Sequence, residues 1–228
     1  MTTIGLIGSG NIGGTVARLA TAAGYDAVLS NSRGPHTLAD LVTELGPRAR
    51  AGTTTDAAQA GDIVVVSVPF RAYDAVPAQP LVGKVVLDTN NYYPQRDGHF
   101  TELDENTATS SELLQRHLPQ SHVVKVFNNI MSRHLLELAR PAGAADRSAL
   151  LIAGDDQAAK ATATRFLDAI GYDTVDAGPL SESWRFEPDT PAYGSPYLGP
   201  EKMSGPGQPA NATQLRRALA EAHRTRSA

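Results

Sequence analysis

A chain of 228 residues with 41% hydrophobic side chains can build one sizeable domain, or a domain with a small appendage, around a real core. Its net charge of −4 excludes a broad basic face for nucleic acid or an anionic membrane, and no apolar run reaches membrane-spanning length. The absence of cysteine excludes disulfides, thiol catalysis and cysteine-held metal clusters, and fits a reducing, cytoplasmic setting.

The chain opens on a short apolar strand, with Ile4, Leu6 and Ile7, that starts too near Met1 to leave room for a signal peptide. Gly8, Gly10 and Gly13 follow as G-x-G-x-x-G, and residues 14–23 carry Val16, Leu19 and Ala20 at helical spacing before Gly24. A second strand begins at Ala27. Each glycine has a distinct physical reason. Gly8 permits the tight turn, Gly10 lets a pyrophosphate approach the backbone, and Gly13 lets the helix pack close to the sheet. The free N–H groups of the helix start can then hold the negative charge. A strand–loop–helix setting is what makes this pattern a dinucleotide fingerprint.

The end of the second strand reads Ser30, Asn31, Ser32, Arg33. An NAD site calls for an acid here to bond the ribose 2′-hydroxyl, and none is present. Two hydroxyls, an amide and a guanidinium suit a 2′-phosphate instead, which predicts NADP(H).

Further strands are expected at residues 49–52, 63–66, 84–88 and 123–127. Helices are expected at 38–45 with Thr37 as cap, at 57–60 behind Thr55 and Asp56, around 72–76, and at 112–118 opened by Ser110 or Ser111 with Glu112. The alternation predicts an α/β fold with a doubly wound parallel sheet, whose strand ends form the ligand crevice. Ser67, Val68 and Pro69 close the fourth strand, Asn90 and Asn91 the fifth, and Asn128 and Asn129 the sixth. The Ser67–Val68–Pro69 turn is either a wall for the adenine or nicotinamide ribose or a plain strand stop. Asparagine both donates and accepts, as a nicotinamide carboxamide requires, and is equally a good turn residue.

The alternation breaks after Ala139. We expect a dinucleotide-binding domain over 1–140 and a small C-terminal lobe over 141–228. The lobe holds a seventh strand at 149–153, a helix at 157–170, an eighth strand at 172–176 and a last helix at 212–223, with a frayed end at 223–228. Between them, 178–209 is rich in proline and glycine, with Trp184, Phe186, Tyr193, Tyr197 and Met203 interleaved. Such a segment serves as a flap over the substrate or as a strap on a second subunit or on its own domain.

GSGNIG, SNSRGP, VSVPF, LDTNN and VVKVFNN together resemble the F420-dependent NADP reductase family over about the first 175 residues. The resemblance implies a Rossmann-type NADP-binding domain, a homodimer, and hydride transfer between NADPH and the deazaflavin coenzyme F420. It places Ser9, Gly10, Asn11 and Ile12 at the phosphates and Ser32 and Arg33 at the 2′-phosphate. Ser67, Val68, Pro69, Asn90 and Asn128 come beside the ribose and nicotinamide. The Pro- and Tyr-rich segment departs from the family pattern where a second substrate is held.

No acid–base dyad is evident, and hydride transfer between cofactors needs none. No Tyr-x-x-x-Lys pattern is present. A ketone or imine substrate needs a proton donor, for which His134, Tyr92, Tyr93 and Tyr193 are the candidates. Two alternatives therefore stand beside the deazaflavin reading: an NADPH-dependent reductase of a small carbonyl, an imine or a flavin, and a non-catalytic NADP(H)-binding sensor.

Overall fold

Strands form where β-branched runs are apolar on both faces, as buried parallel strands require. The computed structural model describes residues 2–224. Its strands are β1 (Thr3–Ile7), β2 (Asp26–Ser30), β3 (Ala49–Ala51), β4 (Ile63–Val66), β5 (Val85–Asp88), β6 (His122–Lys125), β7 (Ala149–Gly154) and β8 (Asp173–Asp176), ordered β3-β2-β1-β4-β5-β6-β7-β8 in one sheet. The pairings from β3 to β6 are parallel. β7 then runs antiparallel to β6, and β8 parallel to β7. The direction reverses just past residue 140, where the sequence pattern breaks.

The helices are α1 (Asn11–Ala22), α2 (Ala39–Leu45), α3 (Thr54–Ala60), α4 (Pro94–Asp97), α5 (Thr101–Asp104), α6 (Ser110–His117), α7 (Ser132–Glu137), α8 (Gln157–Ala169) and α9 (Ala212–Ala220). Several starts differ from expectation, each for a local reason. α1 begins at Asn11 because Gly10 is its cap and Gly13 and Gly14 are helical. Thr53, not Thr55, caps α3, in a reciprocal box with Asp56. Thr109 caps α6 with Glu112, which frees Ser110 and Ser111 to turn inward. Thr37 caps nothing, since Pro35–Leu38 forms a 3₁₀ turn and α2 starts after it. A 3₁₀ turn, Phe70–Ala75, also replaces the helix expected around 72–76. Helices α4, α5 and α7 were not expected. α9 stops at Ala220, and residues 225–228 of the expected frayed end lie outside the described residues.

Alternation along the strands feeds two apolar layers. Leu6, Val65 and Leu87 point to one side with Val16 and Ala20 of α1 and Phe166 of α8. Val64, Val66 and Val86 point to the other, with Ala57 of α3 and Leu114 of α6. The segment between β8 and α9 is irregular, as its composition predicts, and it packs on its own domain. Phe186, Ala192 and Tyr197 join the first layer, and the Tyr197 hydroxyl donates to the Ala149 carbonyl at 2.8 Å. No helix among the described residues is long and apolar enough to cross a membrane.

Candidate functional site: the crevice at the strand ends

Gly8 leaves β1 at φ +95°, a left-handed conformation that favours glycine, and its N–H donates to the Ser30 carbonyl at 3.1 Å. A Cβ at Gly8 would lie 2.1 Å from the Ser67 oxygen, and one at Gly13 would lie 2.0 Å from the Gly8 oxygen. Both positions are closed to any side chain. Gly10 is the opposite case, with no protein atom within 4 Å of an added Cβ. Its Cβ direction opens into space. Ser9 Oγ donates to the Ser30 carbonyl at 3.0 Å and ties the loop to β2. α1 has no side-chain cap and no acid in its first turn, so its leading N–H groups are left for something outside the helix.

A cavity of about 440 Å³ lies above these strand ends. Gly10, Asn11 and Ile12 form one wall, Ser67, Val68 and Pro69 another, and Asn90 and Asn128 a third. The structure thus brings eight of the expected residues together. Gly8 lies beneath the loop, and Ser9 faces an adjoining cavity with Gly10 and Asn11. Asn31, Ser32 and Arg33 stand apart at the end of β2. There Asn31 Oδ1 accepts from the Arg33 N–H at 2.9 Å and Asn31 Nδ2 donates to Thr37 Oγ1 at 2.8 Å. Ser32 and Arg33 are exposed, and the Arg33 guanidinium has no hydrogen bond or ion pair among the described residues.

The two wall asparagines are held rigidly, and each retains one free polar atom. Asn90 Oδ1 accepts from the Val68 N–H at 3.0 Å, leaving buried Nδ2 without a partner among the described residues. Asn128 Nδ2 donates to Asn91 Oδ1 at 3.1 Å and to the Phe186 carbonyl at 2.8 Å, leaving buried Oδ1 free. Those partners fix which end of each amide is which.

The fourth wall comes from far along the chain. The Tyr193 hydroxyl is hydrogen-bonded to that of Tyr93, and Arg96 lies 4.8 Å over the Tyr93 ring. Burial, together with the Tyr93 hydroxyl, pushes the Tyr193 hydroxyl well above the ordinary phenol range. Asp97 holds Arg96 through Nε at 2.9 Å and Nη2 at 2.8 Å. A second, mostly apolar cavity of about 240 Å³ adjoins the first, walled by Ile130 and Met131 and by Tyr193, Gly194, Leu198 and Met203 of the irregular segment.

Two expected proton donors are placed elsewhere. Tyr92 turns into a cluster with Phe70 and Phe100, and its hydroxyl donates to Asp104 Oδ1 at 2.6 Å. His134 is fully buried on α7 beneath the irregular segment, with Nε2 3.2 Å from the Gly205 carbonyl and Gly207 against its ring. Sequence reasoning missed Arg96 as a crevice residue, and it missed Lys125. The signal for Lys125 was available: a lone cation inside VVKVF, a strand otherwise apolar on both faces.

The fold and the crevice have a Rossmann-like architecture: a mostly parallel sheet, a glycine loop opening a helix, and a crevice at the strand ends. More narrowly, residues 3–92 match the family described as NADP oxidoreductase, coenzyme F420-dependent, in agreement with the motif resemblance over that stretch. The rat metalloreductase STEAP3 is 27% identical over 187 residues, covering 81% of this chain and 35% of that protein. The chain therefore spans about a third of that relative's length. Among solved structures, a hypothetical protein of Sinorhizobium meliloti is 29% identical at TM-score 0.69, covering 80% of this chain and 88% of the other. A protein of Arthrobacter sp. FB24 assigned as an F420-dependent NADP reductase is 24% identical at TM-score 0.67, covering 80% and 87%, a likeness of fold.

Proposed function

We propose that this chain binds NADP(H) across the crevice and transfers a hydride between it and coenzyme F420 or a related acceptor. The carrying observation is the contrast among the three loop glycines: two are closed by the protein's own backbone, while Gly10, at an uncapped helix start, faces open space. That arrangement fits a pyrophosphate on backbone N–H groups. Two further features support the fit. The free donor Asn90 Nδ2 and free acceptor Asn128 Oδ1 complement a primary carboxamide, which carries one of each. The unpaired Arg33, with Ser32 and Asn31, suits a 2′-phosphate.

In this reading the nicotinamide supplies the hydride, and the protein supplies position and dryness. Asn90 and Asn128 orient the carboxamide, Val68 and Pro69 back the ribose, and Tyr193 closes the acceptor side. The test mixes protein, NADPH and oxidised F420 and follows loss of the deazaflavin absorbance. Rapid bleaching that is absent in Arg33→Glu supports the proposal. Tight NADPH binding with no bleaching removes F420. A homodimer accompanies this reading, and analytical ultracentrifugation decides it.

A specific observation favours a second reading, reduction of a small carbonyl or imine. The cavity beside the crevice, at about 240 Å³, lies below the usual range for drug-sized ligands, and Tyr193, whose hydroxyl bonds that of Tyr93, lines both cavities as a proton source. Turnover without F420 that falls at least about tenfold in Tyr193→Phe supports it. Tight binding of both NADP+ and NADPH, with no turnover with any acceptor, leaves the non-catalytic sensor.

A further inference from the structure

The most heavily invested side chain outside the crevice walls is Lys125. Its ammonium, on β6, is 0% exposed. Burying a lone cation is unfavourable by several kcal/mol unless it is paired and fully hydrogen-bonded. Here the three N–H donors are all used: on the Asn90 carbonyl at 2.6 Å, Ser110 Oγ at 2.7 Å and Glu187 Oε1 at 3.2 Å. Asp88 Oδ2 lies 3.6 Å away as the second counter-charge. Ser110 Oγ donates onward to Glu187 Oε1 at 2.7 Å, and Ser111 Oγ donates to Asp88 Oδ2 at 2.6 Å.

Two features of this cluster point toward the crevice. The Asn90 peptide is gripped from both ends, its N–H by Asp88 Oδ1 at 2.9 Å and its carbonyl by Lys125, while its side chain keeps the free donor Nδ2. Glu187 belongs to the irregular segment, one residue after Phe186, whose carbonyl accepts from Asn128. The same ammonium therefore holds the main chain of one crevice asparagine directly and anchors the chain beside the acceptor of the other.

We propose that Lys125 is a positioning residue for the nicotinamide half of the cofactor, and that Glu187 is the part of the strap through which strap seating sets the Asn90 and Asn128 amides. This rests on the crevice holding NADP(H). It requires a selective defect: the carboxamide end suffers while the 2′-phosphate end, built by the β1–α1 loop and Arg33, does not.

The experiment measures dissociation constants for NADPH and for 2′,5′-ADP, which carries the 2′-phosphate but no nicotinamide. The proteins compared are wild type, Lys125→Met, Lys125→Arg and Glu187→Gln. Losing a position set by a charged hydrogen bond should weaken NADPH about tenfold or more in Lys125→Met, with 2′,5′-ADP held within about twofold. Lys125→Arg should recover part of that loss. Glu187→Gln keeps shape and should show the same selectivity at smaller size, with faster tryptic cutting at exposed Lys202. Equal weakening of both ligands, or unchanged NADPH affinity in folded variants, overturns the proposal. Should Lys125→Met not fold, Glu187→Gln alone decides it. Failure of wild type to bind NADPH while 2′,5′-ADP binds overturns the nicotinamide clamp itself, and failure to bind either removes the dinucleotide reading beneath it.

Discussion

The two ends of the crevice are built by different means. The phosphate end is local: the glycine loop, the α1 start and the end of β2 all lie within the first 33 residues. The acceptor end is assembled across the chain. Tyr93 meets Tyr193 across 100 residues, Lys125 meets Glu187 across 62, and Asn128 meets Phe186 across 58. The glycine loop at the proposed phosphate end uses main-chain groups and the absence of side chains, with the Arg33 side chain unpaired beyond it, while the acceptor end uses charged and aromatic side chains in fixed pairs. With NADP(H) across the crevice as proposed, binding of the dinucleotide and choice of its partner would be encoded separately, and they should fail separately.

The hardest test of that separation is Gly13→Ala. Its methyl meets the Gly8 oxygen at 2.0 Å, so the loop must move against the sheet and both ends should fail. Such overpacking destabilises by about 1–3 kcal/mol, seen as a lower melting temperature together with lost NADPH binding. Arg33→Glu should act at one end only. Reversing a charge that pairs with phosphate should weaken NADPH by about 2 kcal/mol and NADH far less, by titration of each. Equal weakening of the two nucleotides contradicts the 2′-phosphate role.

Gly10→Ala refines the comparison further. With no protein atom near the new methyl, the stability cost should be limited to replacing a glycine N-cap by alanine, about 1 kcal/mol. NADPH affinity should nevertheless fall about tenfold, and unaffected binding would place the pyrophosphate elsewhere.

Asp97 tests the acceptor end through pH. Burial alone would raise its carboxyl, but Arg96 and the N–H groups of Tyr93 and Arg71 outweigh burial and hold it below the ordinary 3.8. A depressed carboxylate contributes stability that is full above its unfolded pKa and is lost as pH falls through the folded value. Asp97→Asn should therefore melt earlier at pH 7, by about 1–2 kcal/mol, with the gap closing below pH 3.8. A gap that persists in acid assigns the loss to shape rather than charge. The smallest effect belongs to the crevice rim, where Arg18 bridges Glu44 at 2.6 Å in partial solvent exposure. Arg18→Met should change melting by less than about 0.5 kcal/mol.

Most of the sheet was legible because its signals are local. β4, at Ile63–Val66, needs only four apolar residues between Asp62 and Ser67, and it lies where periodicity places it. Helix starts were legible in kind but slipped by up to three residues, because Thr53 and Thr109 are as able to cap as their neighbours and only tertiary burial of Ser110 and Ser111 decides the choice. Eight crevice residues were readable because strand ends are ligand sites in this architecture. The acceptor side was legible only in outline, as an aromatic flap with Tyr93 and Tyr193 among the proton-donor candidates, since nothing in 93–96 announces that Tyr193 will arrive there. His134 misled for the same reason: its distance from β6 in sequence suited the crevice, and only the strap's path buries it.

The strap is fastened largely by its own main chain. The Phe186 and Ala192 carbonyls accept from Asn128 and Asn129, and the Gly194 N–H donates to the Asn129 carbonyl. A peptide group offers the same bond whatever side chain it carries. Where only the main chain holds the strap, its side chains can change while it stays seated, whereas Glu187 on Lys125 and the core side chains Phe186 and Tyr197 are fixed, and the glycine loop below need not change in step. In the proposed reading the glycine loop handles the nucleotide and the strap forms a separate lip around it, so residues overhanging the crevice can change without rebuilding the domain.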